Sequence, residues 1–231
     1  DSAHQMPPFL GQGLCQGIKD VYNLHWKLDG VIRGKYADRV LETYSDERIS
    51  IVKLVTETAI KHGGVIGTQN KYIALIRDTL LNLARIFPKL LSFFDFYHPW
   101  QITNGLIDKS LYPNKANGIV ISQPNLDLKV DNKSFDQYIG YNFALIVFDQ
   151  NEKLLNDIKA LESSKIFEDN IYLINKDSPF NEDSNFIKWK RDNKISAVII
   201  RPDRHVYGCC DNESMIIKVD ELNKKLISEL T

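Results

Sequence analysis

DSAHQMPPFLGQGLCQGIKDVYNLHWKL, residues 1–28, is the stretch from which the rest of the chain can be read. Asp1 stands ahead of a stiff Pro7-Pro8 pair, and Gly11-Gln12-Gly13 follows. From there apolar residues recur at Leu14, Ile18, Val21, Leu24, Leu28, Val31 and Ile32. Spacings of three and four mark an amphipathic helix, and Gly34 is placed to end it as a C-cap. The glycine-spaced turn therefore opens a helix. A helix N-terminus presents unpaired backbone N–H groups and about half a positive charge, which stabilises negative charge on a ligand. Gly11 and Gly13 remove the Cβ atoms that would block a close approach or forbid the turn. The arrangement suits an electron-rich ligand.

Taken one at a time these residues allow plainer roles. Asp1 can be a turn or capping residue, and the glycines can serve a loop alone. His4 can act as a base or make a structural hydrogen bond. A thiol such as Cys15 at a helix N-terminus can be a nucleophile or redox sensor, although the sequence supplies no CxxC partner for it. His25 and Trp26 read as packing residues. Asp20 and Lys27 read as helix-surface or inter-helix pairs.

Taken together, Asp1, Ala3-His4, Pro7-Pro8, Gly11-Gln12-Gly13, Asp20, Asn23-Leu24 and Trp26-Lys27-Leu28 closely resemble the second flavin-binding motif of the FAD-dependent aromatic-ring hydroxylases, the single-component flavoprotein monooxygenases. Within that family the stretch is most similar to the branch acting on phenols and 3-hydroxyphenylpropionate. The resemblance implies an NADH- or NADPH-dependent enzyme that hydroxylates a phenolic substrate with O2 through a flavin C4a-hydroperoxide. It also implies FAD contacts at Asp1, whose carboxylate accepts from a ribityl hydroxyl, at Pro8 beside the isoalloxazine, at Gly11 and Gly13, and at the backbone N–H groups of Leu14 and Cys15. No catalytic side chain and no metal site is assigned. The family has a Gly before this Asp and its GxGxxG segment far upstream. The chain, which begins inside the motif, is therefore expected to be the C-terminal portion of a longer enzyme, inactive alone and able to form a homodimer. The competing reading is a structural or oligomerisation module without catalysis.

Composition agrees with a globular chain. Its 231 residues can bury a sizeable core, and 43% hydrophobic with 26% charged content is ordinary. A formal charge of −1 argues against a nucleic-acid partner, and the absence of a run of about 18 apolar residues argues against a membrane span. Three cysteines, two of them the adjacent Cys209 and Cys210, give neither a disulfide framework nor metal-ligand spacing, and point to a reducing, cytoplasmic setting.

A second helix is expected from about Asp38 to Lys61, with Leu41, Tyr44, Val52, Val55 and Ala59 on one face and His62-Gly63-Gly64 as its stop. The family commonly has a Pro after the Glu-Arg pair that Glu47-Arg48 matches. Here Ile49-Ser50 follows, which should leave the helix straighter. A third helix, about Asn70 to Phe87, carries Ile73, Ile76, Leu80, Leu83 and Phe87, with Arg77-Asp78 as a surface or inter-helix pair. The aromatics Phe93, Phe94, Phe96, Tyr97 and Trp100 read as core or interface packing, or as a substrate pocket.

Turn residues at Tyr112-Pro113-Asn114 and Asn117-Gly118 separate a helical part, 1–112, from a second domain, 113–231. There, short β-rich runs at 118–122, 143–148, 171–174, 197–200 and 205–207 alternate with helical stretches at 152–161, 181–192 and 219–230, an α/β layer. The late strands about Pro202-Asp203 and a final helix resemble half a thioredoxin fold. The family carries such a domain, often with a segment like Arg201-Pro202-Asp203-Arg204. The fold expected is α/β: the helical C-terminal part of an FAD-binding domain followed by a thioredoxin-like domain. Without CxxC that domain is structural, and Cys209 and Cys210 are ordinary thiols placed after the last strand.

Overall fold

The computed structural model describes residues 4–86, 100–125, 127, 129–130 and 132–231. By its contacts the chain divides into two compact units, one of residues 1–21 with 48–100 and one of 22–47 with 101–231. The described helices of the N-terminal part are α1 (Gly13–Ile32), α2 (Arg39–Ile66) and α3 (Lys71–Ile86).

The second unit is built on a four-stranded sheet of β1 (Ala144–Val147), β2 (Ile171–Leu173), β3 (Ala197–Ile200) and β4 (Val206–Cys210), in the order β2-β1-β3-β4. β1 and β2 are parallel, as a crossover through α5 (Glu152–Lys159) requires. β3 runs antiparallel to both β1 and β4. A short α4 (Phe135–Ile139) precedes the sheet, α6 (Ser184–Asp192) leads into β3, and α7 (Met215–Leu230) closes the chain. This is the thioredoxin-like order that the segment pattern implied.

The reason is visible in β1 and β3. Ala-Leu-Ile-Val and Ala-Val-Ile-Ile do not alternate with polar residues, because both faces of the sheet are covered. Leu145, Val147 and Ile199 face a core shared with Val219, Leu222 and Leu226 of α7. Ala144, Ile146, Val198 and Ile200 face one shared with Phe135, Ile139, Phe180 and Phe186.

Several expectations need correction. The run 118–122 is not a strand of the sheet: it contributes one isolated bridge, Val120 to His205. Around it, Gly118 N–H donates to Val206 O and Ile121 N–H to Arg204 O, so the segment runs beside β4. Gly118 sits at φ +78 with Ile102 O only 2.1 Å from where a Cβ would lie, a position that only glycine fits. Cys209 and Cys210 are the last two residues of β4 itself, buried free thiols.

α2 does not stop at His62-Gly63-Gly64 but runs on to Ile66. A Cβ on Gly63 would fall 2.3 Å from Phe9 Cε2. The glycine is a notch for that ring, and helix interiors tolerate a glycine at a cost of about 1 kcal/mol. The helix ends where Arg77 Nη1 of α3 donates to Val65 O and Ile66 O, so Arg77 caps α2 as well as pairing with Asp78. Asn70 Oδ1 accepts from the N–H groups of Tyr72 and Ile73 and caps α3.

An amphipathic helix ordinarily buries its apolar stripe. Leu14, Ile18, Val21 and Ile32 are instead exposed, Leu14 by 77%. The buried positions are Gln16, Asp20, Asn23 and Lys27, together with Trp26. On α2, Val55 and Ala59 are buried as expected, but Leu41, Tyr44 and Val52 are only half-buried. Ile73, Ile76, Leu80 and Leu83 of α3 are exposed. Phe87 and the aromatics Phe93, Phe94, Phe96 and Tyr97 lie outside the described residues, while Trp100 is half-buried.

Candidate functional site

The loop ahead of α1 is shaped by its own residues. Pro7 and Pro8 hold φ near −65° and start a 3-10 turn over Pro8–Leu10. Gly11 then reverses the chain at φ 61°, its N–H donating to Pro8 O at 2.9 Å. An L side chain adopts that conformation at a cost of roughly 1 kcal/mol or more. Gln12 leads into Gly13, the first residue of α1.

The first intrahelical bond at this end runs from Gln16 N–H to Gln12 O at 2.8 Å. The N–H groups of Gly13, Leu14 and Cys15 thus precede the helical ladder, as the first turn of any helix must leave them. Leu14 and Cys15 are exposed. Among the described residues, no atom beyond the adjoining chain and the helix's own backbone lies within 4 Å of a Cβ built on Gly11 or on Gly13. Towards the other described residues the backbone here borders open space, so none of them requires a glycine at either position for packing. A bound group could approach the main chain closely.

Behind the loop is a polar cluster. Arg48 of α2 donates from Nε to Asp20 Oδ1 at 2.6 Å and from Nη2 to Gln16 Oε1 at 2.8 Å. The other oxygen of Asp20 accepts from His4 Nε2 at 2.5 Å. One carboxylate therefore ties the incoming chain at residue 4 to both helices, and Phe9 in the Gly63 notch ties it again. His4 Nδ1 and Gln16 Nε2 are buried without a partner among the described residues. Burial and the nearby Arg48 also lower the pKa of Lys19. With Arg48 balanced by Asp20, the helix N-terminus is what biases this end of α1 towards electron-rich groups.

The second unit holds a cluster that sequence reasoning missed. Glu47 accepts from Arg201 Nη1 at 2.9 Å and Nη2 at 2.7 Å, from Lys27 Nζ at 2.9 Å, from Asn23 Nδ2 at 2.6 Å and from Leu106 N–H at 2.9 Å. Arg201 also donates to both oxygens of Asp203, at 3.0 and 2.7 Å, and to Leu106 O at 2.9 Å. All five N–H donors of a guanidinium are thereby occupied. The four ionised groups, Lys27, Glu47, Arg201 and Asp203, balance in charge and are almost wholly buried.

Burial alone would raise Glu47, but Arg201 and Lys27 hold it down at about 2. Lys27 is lowered to about 8, chiefly by burial. Gly105, at φ +93, fits because a Cβ there would lie 2.4 Å from Glu47 Cγ. Of the two roles the sequence allows Lys27, helix surface or inter-helix pair, the structure has the second: it is fully buried against Glu47 of α2. The Arg-Pro-Asp-Arg segment carries only a resemblance in the sequence, and its first and third residues, Arg201 and Asp203, are the two that close this cluster.

Of the residues proposed for the ligand, Pro8, Gly11, Gly13, Leu14 and Cys15 fall together on one continuous loop-to-helix turn. Asp1 lies outside the described residues. Burial pushes the Cys210 thiol up to about 12 and that of Cys209 further up still, so neither is a thiolate near neutral pH. No group of His, Cys, Asp or Glu that could hold a metal occurs among the described residues. Among them, too, no helix is long and apolar enough to cross a membrane.

Residues 1–59 match the family described as FAD binding domain, and residues 118–225 match the HcaD C-terminal domain. A 3-(3-hydroxy-phenyl)propionate/3-hydroxycinnamic acid hydroxylase from Mycolicibacterium smegmatis is 33% identical over 161 residues, 67% of this chain and 29% of the relative. The enzyme of the same name from Burkholderia cenocepacia is 30% identical over 237 residues, 93% of this chain and 43% of the relative. The chain thus spans well under half the length of these relatives. Among solved structures, K252c-soaked RebC superposes with a TM-score of 0.63 over 98% of this chain and 43% of RebC, at 16% identity. The flavin-dependent monooxygenase PieE, in complex with FAD and substrate, gives 0.62 over 98% of this chain and 46% of PieE, at 18% identity. At these identities the likeness is one of fold.

Proposed function

Because the chain carries the sequence and fold of the C-terminal portion of an FAD-dependent aromatic-ring hydroxylase, we propose that it supplies the isoalloxazine-facing part of a flavin site in a phenol-hydroxylating monooxygenase. The observation that carries this reading is the turn at Gly11–Cys15. There a left-handed glycine delivers the chain into a helix whose first N–H groups precede the ladder, beside open space at both glycines. The residues present fit the group: main-chain donors and a positive helix end for an electron-rich ring system, and no Cβ in the way.

In this proposal the N–H groups of Leu14 and Cys15 donate to the electron-rich edge of the flavin ring. Pro8 lines the ring, Gly11 and Gly13 admit it, and the Asp1 carboxylate accepts from a ribityl hydroxyl. The His4–Asp20–Arg48 cluster holds the loop so that these donors are in place before the ligand arrives, which is the arrangement that stabilises developing charge most effectively. FAD, when bound, supplies the oxygen and electron chemistry that side chains cannot. One atom of O2 enters the phenolic ring as hydroxyl, the other leaves as water, and NADH or NADPH provides the two electrons. The working protein is proposed to be a cytoplasmic homodimer. Residues 1–112 form its helical flavin-domain part, and residues 113–231 a thioredoxin-like domain with no redox role.

The experiment is flavin binding by the product of the complete reading frame, followed by NAD(P)H oxidation with and without phenolic acids. A structural module without catalysis would bind no flavin and leave NAD(P)H untouched.

A further inference from the structure

The chain contains two Asn-Gly pairs, Asn104-Gly105 and Asn117-Gly118, both in the second unit. An asparagine followed by glycine is open to attack on its own side chain, because the next backbone nitrogen has no adjoining Cβ to hinder it. The reaction needs two freedoms. The side-chain amide must be able to turn towards the next nitrogen, and that nitrogen must not be held elsewhere. The structure separates the two pairs on both counts.

Asn117 is buried and fully engaged. Its Nδ2 donates to Asp108 O at 2.9 Å and to Tyr112 O at 3.0 Å, and its Oδ1 accepts from Cys209 Sγ at 3.3 Å. The nitrogen that would attack, Gly118 N, donates its hydrogen to Val206 O at 2.8 Å. Asn104 is the opposite case. It is exposed, and among the described residues its side chain makes one hydrogen bond, Oδ1 accepting from Lys109 Nζ at 2.7 Å. Gly105 N–H is given to no backbone carbonyl among the described residues. The Lys109 ammonium thus sits on the oxygen that gains negative charge when Asn104 Cγ is attacked. A charge-assisted hydrogen bond at that place strengthens as the charge develops.

We infer that Asn104-Gly105 is a site of spontaneous deamidation, and that its isoaspartyl product loosens the buried cluster around Glu47. Hydroxide takes the Gly105 N–H proton, a bond forms from that nitrogen to Asn104 Cγ, and the Cγ–Nδ2 bond breaks. Ammonia leaves, taking its third hydrogen from water. Water then opens the succinimide ring at either of its two carbonyl carbons, giving Asp or isoaspartate. The net change consumes one water and releases one ammonia, with no oxidant or cofactor. Isoaspartate adds a methylene to the main chain directly ahead of Gly105, where there is no slack. Gly105 lies at φ +93 with Glu47 Cγ only 2.4 Å from where its Cβ would be. The next residue, Leu106, gives its N–H to Glu47 and accepts at its O from Arg201, both at 2.9 Å. The inference does not rest on the flavin reading and is tested without flavin.

The test is to hold the purified protein in mildly alkaline buffer at physiological temperature for days and to follow each Asn-Gly pair by peptide mass mapping, with isoaspartate scored by an isoaspartyl methyltransferase. Asn104 is expected to convert roughly tenfold or more faster than Asn117, whose hydrogen bonds must break before it can react. Lys109→Met, an exposed change, is expected to slow Asn104 severalfold. On ageing, the urea midpoint of the unaltered chain is expected to fall in step with isoaspartate at position 104. Asn104→Gln keeps the amide but would have to close a less favourable, larger ring, so its midpoint is expected to hold. No conversion at Asn104, equal conversion at Asn117, an unslowed Lys109→Met, or an equal fall in aged Asn104→Gln would overturn the inference.

Discussion

Glu47 and Arg201, 154 positions apart in sequence, meet through two hydrogen bonds of 2.9 and 2.7 Å with both side chains fully buried. The pair joins the segment carrying α2 to the β3–β4 turn within the second unit, and Lys27, Asn23 and Asp203 complete its hydrogen bonds. A buried pair of this kind is costly to break because the survivor is left charged without a counter-ion.

Replacing one member should therefore be severe. Glu47→Gln keeps the shape and removes the charge, leaving Lys27 and Arg201 facing Asp203 alone. We expect a loss of about 3–5 kcal/mol, measured by urea unfolding. A loss below about 1 kcal/mol would show that the cluster is better solvated than its geometry indicates.

The same residue gives the fold an acid limit. Glu47 is held at about 2, below its ordinary 4.5, so the folded state binds this proton more weakly than the unfolded chain. Its contribution to stability is fully present above pH 4.5 and is lost as pH falls through about 2. Glu47→Gln is expected to flatten the stability profile in that window. Lys27 behaves differently: burial lowers it from 10.5 to about 8, which disfavours its charged form in the fold. The penalty is present below pH 8 and is relieved as pH rises towards 10.5, a slope that Lys27→Met should remove.

Phe9 and Gly63 separate stability from ligand binding. Gly63→Ala would place a methyl group 2.3 Å from the Phe9 ring and displace it, yet alanine favours a helix interior over glycine by about 1 kcal/mol. We expect unchanged or slightly raised stability together with at least a severalfold loss of FAD affinity, read by flavin fluorescence titration. Equal flavin affinity would disconnect the Pro-Pro loop from the cofactor.

Thiol labelling provides a simpler check. Cys15 is exposed, whereas Cys209 and Cys210 are buried with raised pKa values. One thiol of the three is expected to react in the native protein at neutral pH, and all three after denaturation. Rapid reaction at Cys209 or Cys210 would mean that β4 opens readily.

The α/β layer was legible because Ala144–Val147 and Ala197–Ile200 are unbroken apolar runs, and such runs mark strands covered on both faces. The helices were legible as helices, but not which face each buries. Periodicity in α1 identified Leu14, Ile18 and Val21 as one stripe and could not show that Gln16, Asp20, Asn23 and Lys27 lie inside. That depends on partners such as Arg48, Glu47 and Asp203, which only the folded chain brings near. The glycines after His62 read as a stop because the Phe9 ring that needs the space lies more than fifty positions earlier. That a glycine turn opens a helix was legible, and the turn at Gly11 and the helix start at Gly13 are as read, while the His4–Asp20–Arg48 tie behind them was not foreseen.

Asp1→Ala tests the proposed edge of the site. Removing a hydrogen bond to a charged group should weaken FAD binding by about 1–3 kcal/mol, measured by titration of the apoprotein. Unchanged affinity would remove Asp1 from the site and leave the main-chain donors standing.

The most direct measurement is the flavin content of the protein made from the complete reading frame, determined by absorbance and by release of the cofactor on denaturation. The account expects a yellow protein with about one FAD per chain and NAD(P)H oxidation stimulated by phenolic acids. A folded, colourless protein that takes up no FAD when it is supplied would contradict it.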